Sequence, residues 1–172
     1  MAPTTFHIRQ ATEDDVDTIL DLIIALATYE KEPHSVKATP ALLKENIFEK
    51  SYAHTLLAFE GTPGAPSASL GMALYFFNYS TWTGRPGLYL EDLFVIPEAR
   101  NMGVGKALFA ELGKVAQEKN CARLDWSVLK WNEPSIAFYE KALGALRMDE
   151  WMGMRLDERG IRELQKLALH DE

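Results

Sequence analysis

The sequence has 172 residues, of which 47% are hydrophobic and 25% charged, a composition typical of a globular protein with a substantial core. Its net charge of −7 argues against a general nucleic-acid binder, because such proteins rely on a basic surface, and it favours a cationic substrate. The single cysteine excludes an internal disulfide, and no apolar run is long enough to predict a membrane span, so we expect neither a nucleic-acid nor a membrane partner.

The first half of the chain predicts three strands and two helices. No basic region followed by an apolar stretch stands at the start, so the expected location is the cytoplasm. Residues 5–10 alternate like a strand, and Thr12 can cap a helix that ends near residues 29–31. A second helix is predicted from Pro40 to about Phe48. Strands are predicted at residues 54–60 and 70–79, joined by a loop at residues 61–69.

A central strand is predicted at residues 88–96, where a nearly continuous apolar run is closed by Pro97. Such a run is typical of a strand covered on both faces. Two acids, Glu91 and Asp92, interrupt it, and strict alternation puts them on opposite sides of the strand. The next helix begins near Val104, with apolar residues at helical spacing.

The last third predicts two strands and two helices. The strands are expected at residues 122–129 and 146–156. One helix is capped by Asn132 and ended by Gly144, and the other follows Asp157. Residues 1–172 are therefore expected to form a single α/β domain, a mixed sheet flanked by helices.

The loop between the central strand and its helix predicts an anion site. It contains two glycines, Gly103 and Gly105, and opens onto a helix N-terminus whose N–H groups lack intrahelical partners. A Walker loop is excluded, since Arg100 stands where its first Gly belongs and no hydroxyl follows the Gly-Lys pair. The dinucleotide fingerprint fails at Leu108, where its third Gly belongs. The alternative is a turn with glycines for tight packing.

The remaining pattern, R-x-x-G-x-G, resembles the pyrophosphate loop of the GNAT superfamily of acetyl-CoA-dependent acetyltransferases. Residues 132–139 (NEPSIAFY) resemble the GNAT segment N-x-x-(A/S)-x-x-x-Y, whose Tyr reaches the sulfur of coenzyme A. YLED at residues 89–92 and WNEPSIAFY at residues 131–139 resemble the spermidine/spermine acetyltransferase family, and the likeness extends from Ile8 to about Trp151.

One stretch separates two branches of that family. Residues 79–85 (YSTWTGR) resemble the thialysine Nε-acetyltransferase branch, also called diamine acetyltransferase 2. The polyamine branch carries an acid where this chain has Ser80, so long polyamines are expected to bind less well. The WNEPS segment is closer to the polyamine branch. Asn101 departs from the Gly that is usual after the loop Arg, but Asn tolerates unusual backbone angles.

The resemblance implies a GNAT fold with a mixed, mostly antiparallel central sheet. It also implies a homodimer, with C-terminal segments exchanged between subunits. A bulge in the central strand would offer two backbone N–H groups to the cofactor. The implied acetyl-CoA site comprises Leu93, Phe94, Val95, Arg100, Asn101, Met102, Gly103, Val104, Gly105, Lys106, Asn132, Glu133, Pro134 and Ser135. The implied substrate site comprises Tyr29, Glu30, Trp82, Glu91, Asp92, Asp125, Trp126 and Ser127.

Proton removal explains why such a site needs acids. A primary amine with a pKa of about 10.4 is neutral in only about 1 molecule in 2,500 at pH 7, which costs roughly 4.6 kcal/mol before attack. Glu91 is the expected proton acceptor, directly or through a water, while Asp92 orients the amine or supports the loop. Glu30 can hold a second positive charge. Tyr139 is the expected hydrogen-bond donor to the leaving sulfur.

The predicted function is therefore an acetyl-CoA-dependent N-acetyltransferase that acts by direct attack of a primary amine. The expected acceptor is a small diamine or a thialysine-like amino acid. Alternatives are a polyamine acetyltransferase, a peptide or protein N-acetyltransferase, and a non-catalytic acyl-CoA-binding module. The presence of Glu91, Asp92 and Tyr139 together favours an enzyme. No metal is expected, because the four histidines lack the spacing of a metal site or a catalytic triad.

Overall fold

The structure, a computed structural model, describes residues 5–64 and 67–168. The predicted loop at residues 61–69 therefore includes two residues that lie outside the described part. The contacts divide the chain into a first unit that ends at Ser127 and a second unit that begins at Val128, and each is described by itself.

The first unit is built on a five-stranded sheet. Its strands follow the chain order across the sheet, from β1 to β5. The first four strands pair antiparallel, and β5 pairs parallel with β4. This architecture confirms the predicted mixed, mostly antiparallel sheet. The strands are β1 (Phe6–Gln10), β2 (His54–Glu60), β3 (Ser69–Ser80), β4 (Arg85–Val95) and β5 (Leu124–Trp126).

Three helices accompany this sheet: α1 (Val16–Tyr29), α2 (Pro40–Leu43) and α3 (Val104–Glu118). A 3₁₀ turn at Glu13–Asp15 leads into α1, and a π-helical segment at Lys44–Glu49 prolongs α2, close to the predicted end. The Thr39 hydroxyl accepts a hydrogen bond from the Leu42 N–H (3.3 Å), so the predicted start of α2 is confirmed with its cap. Across the described residues, no helix combines the length and apolarity needed to cross a membrane.

The sheet is buried on both faces, as the apolar run in β4 predicts. On one face, a core cluster joins buried residues of β4, including Leu88 and Leu90, to Leu108 and Leu112 of α3. On the other face, Phe94 of β4 belongs to a cluster with Ile19 of α1. Burying such side chains stabilises the fold by about 1.5–3 kcal/mol each, which makes the position of β4 well determined.

An ion pair secures the start of α1. The two terminal nitrogens of Arg9 donate to the two carboxylate oxygens of Asp15 at 2.6 and 2.8 Å, and the guanidinium carbon lies 4.5 Å from the Phe59 ring centroid. Asp15 is only 7% exposed, and its carboxylate also accepts from the N–H and the hydroxyl of Thr12. These hydrogen bonds lower the pKa of Asp15 to about 2, and the bond from Arg9 has the largest effect.

Arg9→Met is therefore expected to destabilise the protein by about 2 kcal/mol at pH 7, because Asp15 would keep a largely buried charge without its partner. The folded pKa of Asp15 lies below the value of about 3.9 for an unfolded Asp, so this stabilisation is present above pH 4 and lost as the pH falls towards 2. Urea denaturation at pH 7 and pH 3 measures both effects. Lys50→Met, which breaks an exposed pair with Glu45, is the control and should change stability by less than about 1 kcal/mol. An Arg9→Met loss that is equal at both pH values would contradict the assignment.

The second unit contains two short helices. In α4 (Glu133–Leu143), the buried Asn132 side chain accepts from the Ser135 N–H (3.4 Å), and Gly144 ends the helix with φ 71°. In α5 (Glu158–Glu163), the Asp157 carboxylate accepts from the Gly160 N–H at 2.8 Å, and a 3₁₀ turn follows at Leu164–Leu167. The predicted cap at Asn132, the predicted end at Gly144 and the predicted helix after Asp157 are confirmed, which indicates that the residue pattern decides these ends locally.

Two strand predictions are wrong in extent or in kind. Residues 146–156 form no strand, although their apolar residues suit one, and Leu146 and Met154 are each 87% exposed. A strand exists only where a neighbour supplies hydrogen bonds, and the pattern of one chain says nothing about that neighbour. β5 occupies only Leu124–Trp126 of the predicted residues 122–129, because its pairing with β4 stops at Leu90.

Candidate active site

A bulge interrupts β4 at the acidic pair. In the register of β3 with β4, Leu74 faces Asp92 and Tyr75 faces Leu90, so Glu91 is the extra residue. Leu90 and Leu93 consequently both belong to the core on the α3 face, although they are three positions apart, an odd spacing that would otherwise put them on opposite faces. Asp92 shares the opposite, α1 face with Phe94, two residues later. The prediction that strict alternation sets Glu91 and Asp92 on opposite sides is therefore wrong, because the bulge breaks the alternation.

At this bulge the carboxyl group of Asp92 lies within the electrostatic influence of two other acids, Glu91 and Glu30. Asp92 is partly buried, whereas Glu91 is exposed. Burial, and then the negative charges of Glu91 and Glu30, raise the pKa of Asp92 to about 6. Burial also raises the pKa of Glu30, at the end of α1. The structure thus brings Glu30 of α1 near the two acids of β4, and their combined field favours a bound cation.

The edge of β4 beside these acids carries backbone N–H groups that point away from β3 and have no strand opposite them in the described part of the sheet. β5 pairs with β4 only from Leu88 to Leu90, so in the described part of the sheet this edge has no partner strand beyond Leu90. The Ile96 N–H donates to the Leu70 carbonyl in β3 (3.0 Å). Since successive N–H groups of a strand point to opposite edges, those of Leu93 and Val95 point away from β3. They are the two donors that the family resemblance implies.

The loop after β4 presents backbone N–H groups to solvent. It passes through a 3₁₀ turn at Pro97–Ala99, and both Asn101 (φ 66°) and Gly103 (φ 88°) adopt left-handed angles. Asn is one of the few residues besides Gly that tolerate this region, which explains its presence at position 101. A Cβ atom added to Gly103 would meet no atom within 4 Å, so the space over the loop is open. The first N–H groups of α3, among them those of Val104, Gly105 and Lys106, have no intrahelical partner.

Arg100 makes contacts that the sequence did not predict. Its guanidinium carbon lies 4.9 Å from the centroid of the Tyr29 ring, and its Nε donates to the Val95 carbonyl at 3.2 Å. The side chain thus spans from the loop to the last residue of α1. The sequence assigns Arg100 to the cofactor and Tyr29 to the substrate, and the contact joins the two sets.

The segment 125–127 divides between the two faces of the sheet. Trp126 packs edge-to-face on Phe109 of α3, with ring centroids 5.2 Å apart, as part of the core on that face. The Ser127 hydroxyl lies 2.9 Å from the Tyr89 hydroxyl, and Asp125 forms an ion pair with Arg123 at 2.9 Å. The structure therefore does not bring Trp126 to the face that carries Asp92. Sequence reasoning did not predict the contact of Ser127 with Tyr89, although Tyr89 heads the YLED motif.

Trp82 lies far from the acids within one chain. It occupies the turn between β3 and β4 and is 89% exposed. Arg85, which follows this turn, lies six positions before Glu91, so the two regions are about 20 Å apart along the strand. Ser80 is 6% exposed, and its hydroxyl accepts from the Thr83 N–H at 3.4 Å. The structure does not bring Trp82 to the carboxylates of its own chain, and Ser80 has a structural role in the turn.

The remaining predicted residues lie in the second unit. Glu133, Pro134 and Ser135 form the first turn of α4, and Asn132 is its cap. Tyr139 follows on the second turn, partly buried, with its ring centroid 5.5 Å from that of Phe138. Within the described residues, no group of three or more His, Cys, Asp or Glu side chains is arranged to hold a metal ion. The predicted lack of a metal stays a prediction.

Comparisons with known proteins agree with this geometry. A family profile described as "Acetyltransferase (GNAT) family" matches residues 18–145. Thialysine N-epsilon-acetyltransferase from Sus scrofa is 40% identical over 164 residues, covering 91% of this chain and 95% of the relative. The enzyme of the same name from Caenorhabditis elegans is 34% identical over 160 residues, covering 92% and 96%.

A human protein, spermidine/spermine N(1)-acetyltransferase-like protein 1, is 32% identical over 95% of this chain but only 24% of its own length. Among solved structures, an integron cassette protein from the mobile metagenome of V. cholerae superimposes with a TM-score of 0.75 at 26% identity, covering 94% of this chain and 98% of the other. The sheet, the bulge and the loop thus occur in a chain that matches one family along most of its length. This chain belongs to the GNAT acetyltransferase family and is an N-acetyltransferase.

Proposed function

We propose that this enzyme transfers the acetyl group of acetyl-CoA to a primary amine of a small diamine or a thialysine-like amino acid. The observation that carries the proposal is the meeting of Glu30, Glu91 and Asp92 around the bulge of β4. Three acids beside a strand edge with unused N–H groups suit a cationic amine that attacks an acyl group held at that edge.

The first unit fits coenzyme A at two places. The N–H groups at the start of α3, under the open space at Gly103, suit the diphosphate. The N–H groups of Leu93 and Val95 suit the acyl carbonyl and the arm that carries it. Acetyl-CoA supplies an acetyl group activated as a thioester. Asn132, Glu133, Pro134 and Ser135 are assigned to the same cofactor on the family resemblance.

Proton removal is the task of the carboxyl pair. Asp92 has a pKa of about 6, so most of it is ionised at pH 7 and it remains a better proton acceptor than an ordinary Asp. Glu91 is exposed and can pass the proton on to solvent. We therefore assign Asp92 to orienting the ammonium and sharing its proton, with Glu91 as the route out. Glu30 holds a second positive charge where the substrate has one, and Tyr139 donates to the departing sulfur.

Two observations favour different acceptors. Relatives named thialysine N-epsilon-acetyltransferase, together with Ser80 in place of an acid, favour a short amine. The WNEPS segment and the human spermidine/spermine-like relative favour a polyamine, which is the second candidate.

Substrate competition separates the two candidates. With acetyl-CoA as donor, we expect thialysine or short diamines to have a higher kcat/KM than spermidine, spermine or lysine. Calorimetry with acetyl-CoA is the parallel measurement, and binding is expected without a metal. The highest kcat/KM for spermine would move the assignment to the polyamine branch, and no uptake of acetyl-CoA by the folded protein would overturn the whole proposal.

We further propose that the enzyme works as a homodimer and that the turn carrying Trp82 serves the acceptor site of the second copy. Trp82 is almost fully exposed and about 20 Å from the acids of its own chain, so it can act on substrate only across an interface. Residues 146–156 carry exposed apolar side chains in a strand-like pattern, among them Leu146, Met152 and Met154. A second copy would supply the neighbour that this segment lacks.

Trp82→Ala is expected to raise the KM for the amine about tenfold, while acetyl-CoA binding stays unchanged, because an aromatic contact is worth about 1–1.5 kcal/mol. A 1:1 mixture of Trp82→Ala with an Asp92→Asn variant tests the exchange, since a mixed dimer would contain one site with both native residues. At an amine concentration far below KM, where each parent variant has at most about a tenth of the wild-type rate, recovery of about one quarter of that rate is expected if subunits mix at random. A protein that sediments as a monomer at the assay concentration would contradict the dimer.

A further inference from the structure

The contact between Arg100 and Tyr29 joins two regions that the proposed function assigns to different ligands. Arg100 belongs to the loop that the proposed function assigns to the diphosphate, and Tyr29 precedes Glu30 at the end of α1 that it assigns to the amine. The guanidinium lies over the Tyr29 ring at 4.9 Å, and its Nε donates to the Val95 carbonyl at 3.2 Å. One side chain thus contacts both the end of α1 and the cofactor edge of β4.

The end of α1 is built as a rigid piece, so its position depends on what holds it. The Glu30 N–H donates to the Leu26 carbonyl (2.9 Å), and the Glu32 N–H reaches back to the Ala27 carbonyl (2.8 Å). Lys31 takes the left-handed angle (φ 68°) that closes this cap. Because these hydrogen bonds fix the backbone at the end of α1, a shift of Tyr29 also shifts the neighbouring Glu30.

The other contact of Arg100 lies on the edge where the cofactor is expected. The Val95 N–H points away from β3, and the carbonyl of a strand residue points to the same edge as its own N–H. A ligand bonded to the Val95 N–H therefore lies beside the carbonyl that anchors Arg100. Arg suits this double duty, since its planar guanidinium can stack on a ring while Nε donates, whereas Lys offers only a point charge.

We propose that Arg100 is a positioning residue that couples the cofactor edge of β4 to the amine-binding end of α1, so that coenzyme A and the amine bind cooperatively. The inference rests on the proposed function and deepens it. A cofactor bound at the Val95 edge of β4 would fix the position of Val95 and therefore of Arg100. Arg100 would then hold Tyr29, and with it Glu30, in the position that binds the ammonium group. Coupling of this kind is reciprocal, so the amine must tighten coenzyme A by the same factor.

Equilibrium binding tests the coupling without turnover. Calorimetry measures the Kd of the amine with and without saturating coenzyme A, the product form, which cannot transfer an acetyl group. In the wild type we expect the amine to bind about three to five times more tightly when coenzyme A is present, as a partly exposed cation–π contact allows. In Arg100→Lys and in Tyr29→Leu this factor should fall to about one, and the double variant should lose nothing more. Tyr29→Phe keeps the ring face, so its factor should remain.

Arg162→Lys is the matched control, since Arg162 is exposed, forms an ion pair with Glu158 of the same helix, α5, at 3.9 Å and belongs to neither proposed ligand site. Its coupling factor should equal that of the wild type, and melting temperatures show that each variant is folded. The proposal is overturned if Arg100→Lys keeps the full factor, or if its only defect is a weaker Kd for coenzyme A. A wild type that binds neither ligand instead refutes the proposed function itself, which is a distinct result.

Discussion

Asp92→Asn is expected to lower kcat/KM for the amine by about 10²–10⁴-fold at pH 7, the range that general-base catalysis contributes. Asn keeps the size of the side chain but neither balances the ammonium charge nor accepts its proton. The same variant is expected to unfold at a higher temperature than the wild type at pH 7. The two effects together distinguish a catalytic carboxylate from a structural one, whose removal would lower stability.

The sign of the stability change follows from the pKa. Burial and two neighbouring charges raise the pKa of Asp92 to about 6, above the value of about 3.9 in an unfolded chain. The folded state therefore binds this proton more tightly, and stability falls as the pH rises from about 4 to about 6. Above pH 6 the penalty is fully present, and Asn removes roughly 1–3 kcal/mol of it. Urea denaturation should show the gain at pH 7 and little gain at pH 4.

The pH dependence of activity gives an independent reading. Wild-type kcat/KM should rise as the pH passes through about 6, as Asp92 ionises, and this limb should be missing in Asp92→Asn. Asp21→Asn, which changes an exposed acid of α1 in the same way, is the control for both measurements. A variant that retains the limb at pH 6 and loses stability at pH 7 would assign Asp92 to the fold alone. Glu91 would then be the carboxylate responsible.

Much of the fold could be predicted from the sequence, because local signals decide most of it. Helix ends are specified by hydrogen bonds between residues only a few positions apart, as at Thr39 and Pro40, at Asn132 and Gly144, and at Asp157. The apolar run of β4 likewise predicts that both faces of this strand are buried, since a strand with one face in solvent would alternate apolar and polar residues.

The features that failed depend on long-range contacts. The bulge at Glu91 exists only in the register of β4 with β3, so alternation along one strand cannot reveal it. The Arg100–Tyr29 contact joins residues far apart in the chain, and no spacing rule relates them. Residues 146–156 have the composition of a strand, but the edge that would complete it is not specified by their own pattern.

The candidate site divides in the same way. The loop could be predicted, because Gly103 and the start of α3 form a local signal with a clear physical purpose. Trp82 could be recognised only by likeness, and the structure removes it from the acids of its own chain. The roles assigned to these site residues stay predictions, whereas their placement in the fold can be compared with the structure directly.

Tyr139→Phe is the second change with a large expected effect, a fall in kcat of about 10²–10⁴-fold with little change in the Kd of acetyl-CoA. The substitution removes only one hydroxyl group. The ring keeps its contact with Phe138, and the backbone carbonyl of residue 139 still accepts the hydrogen bond from the Ala145 N–H at the end of α4. A thiol of pKa about 8.5 leaves readily, so the loss of its hydrogen-bond donor slows the reaction without abolishing it.

The effect should therefore appear in single-turnover kinetics with a saturating amine, where binding no longer limits the rate. Tyr52→Phe, the same change at a residue that is 67% exposed and outside the site, provides the control and should leave the rate unchanged. A wild-type rate in Tyr139→Phe would mean that water protonates the departing thiolate without help from Tyr139. Tyr139 would then belong to the packing of α4, and the carboxylates at the bulge would carry the chemistry alone.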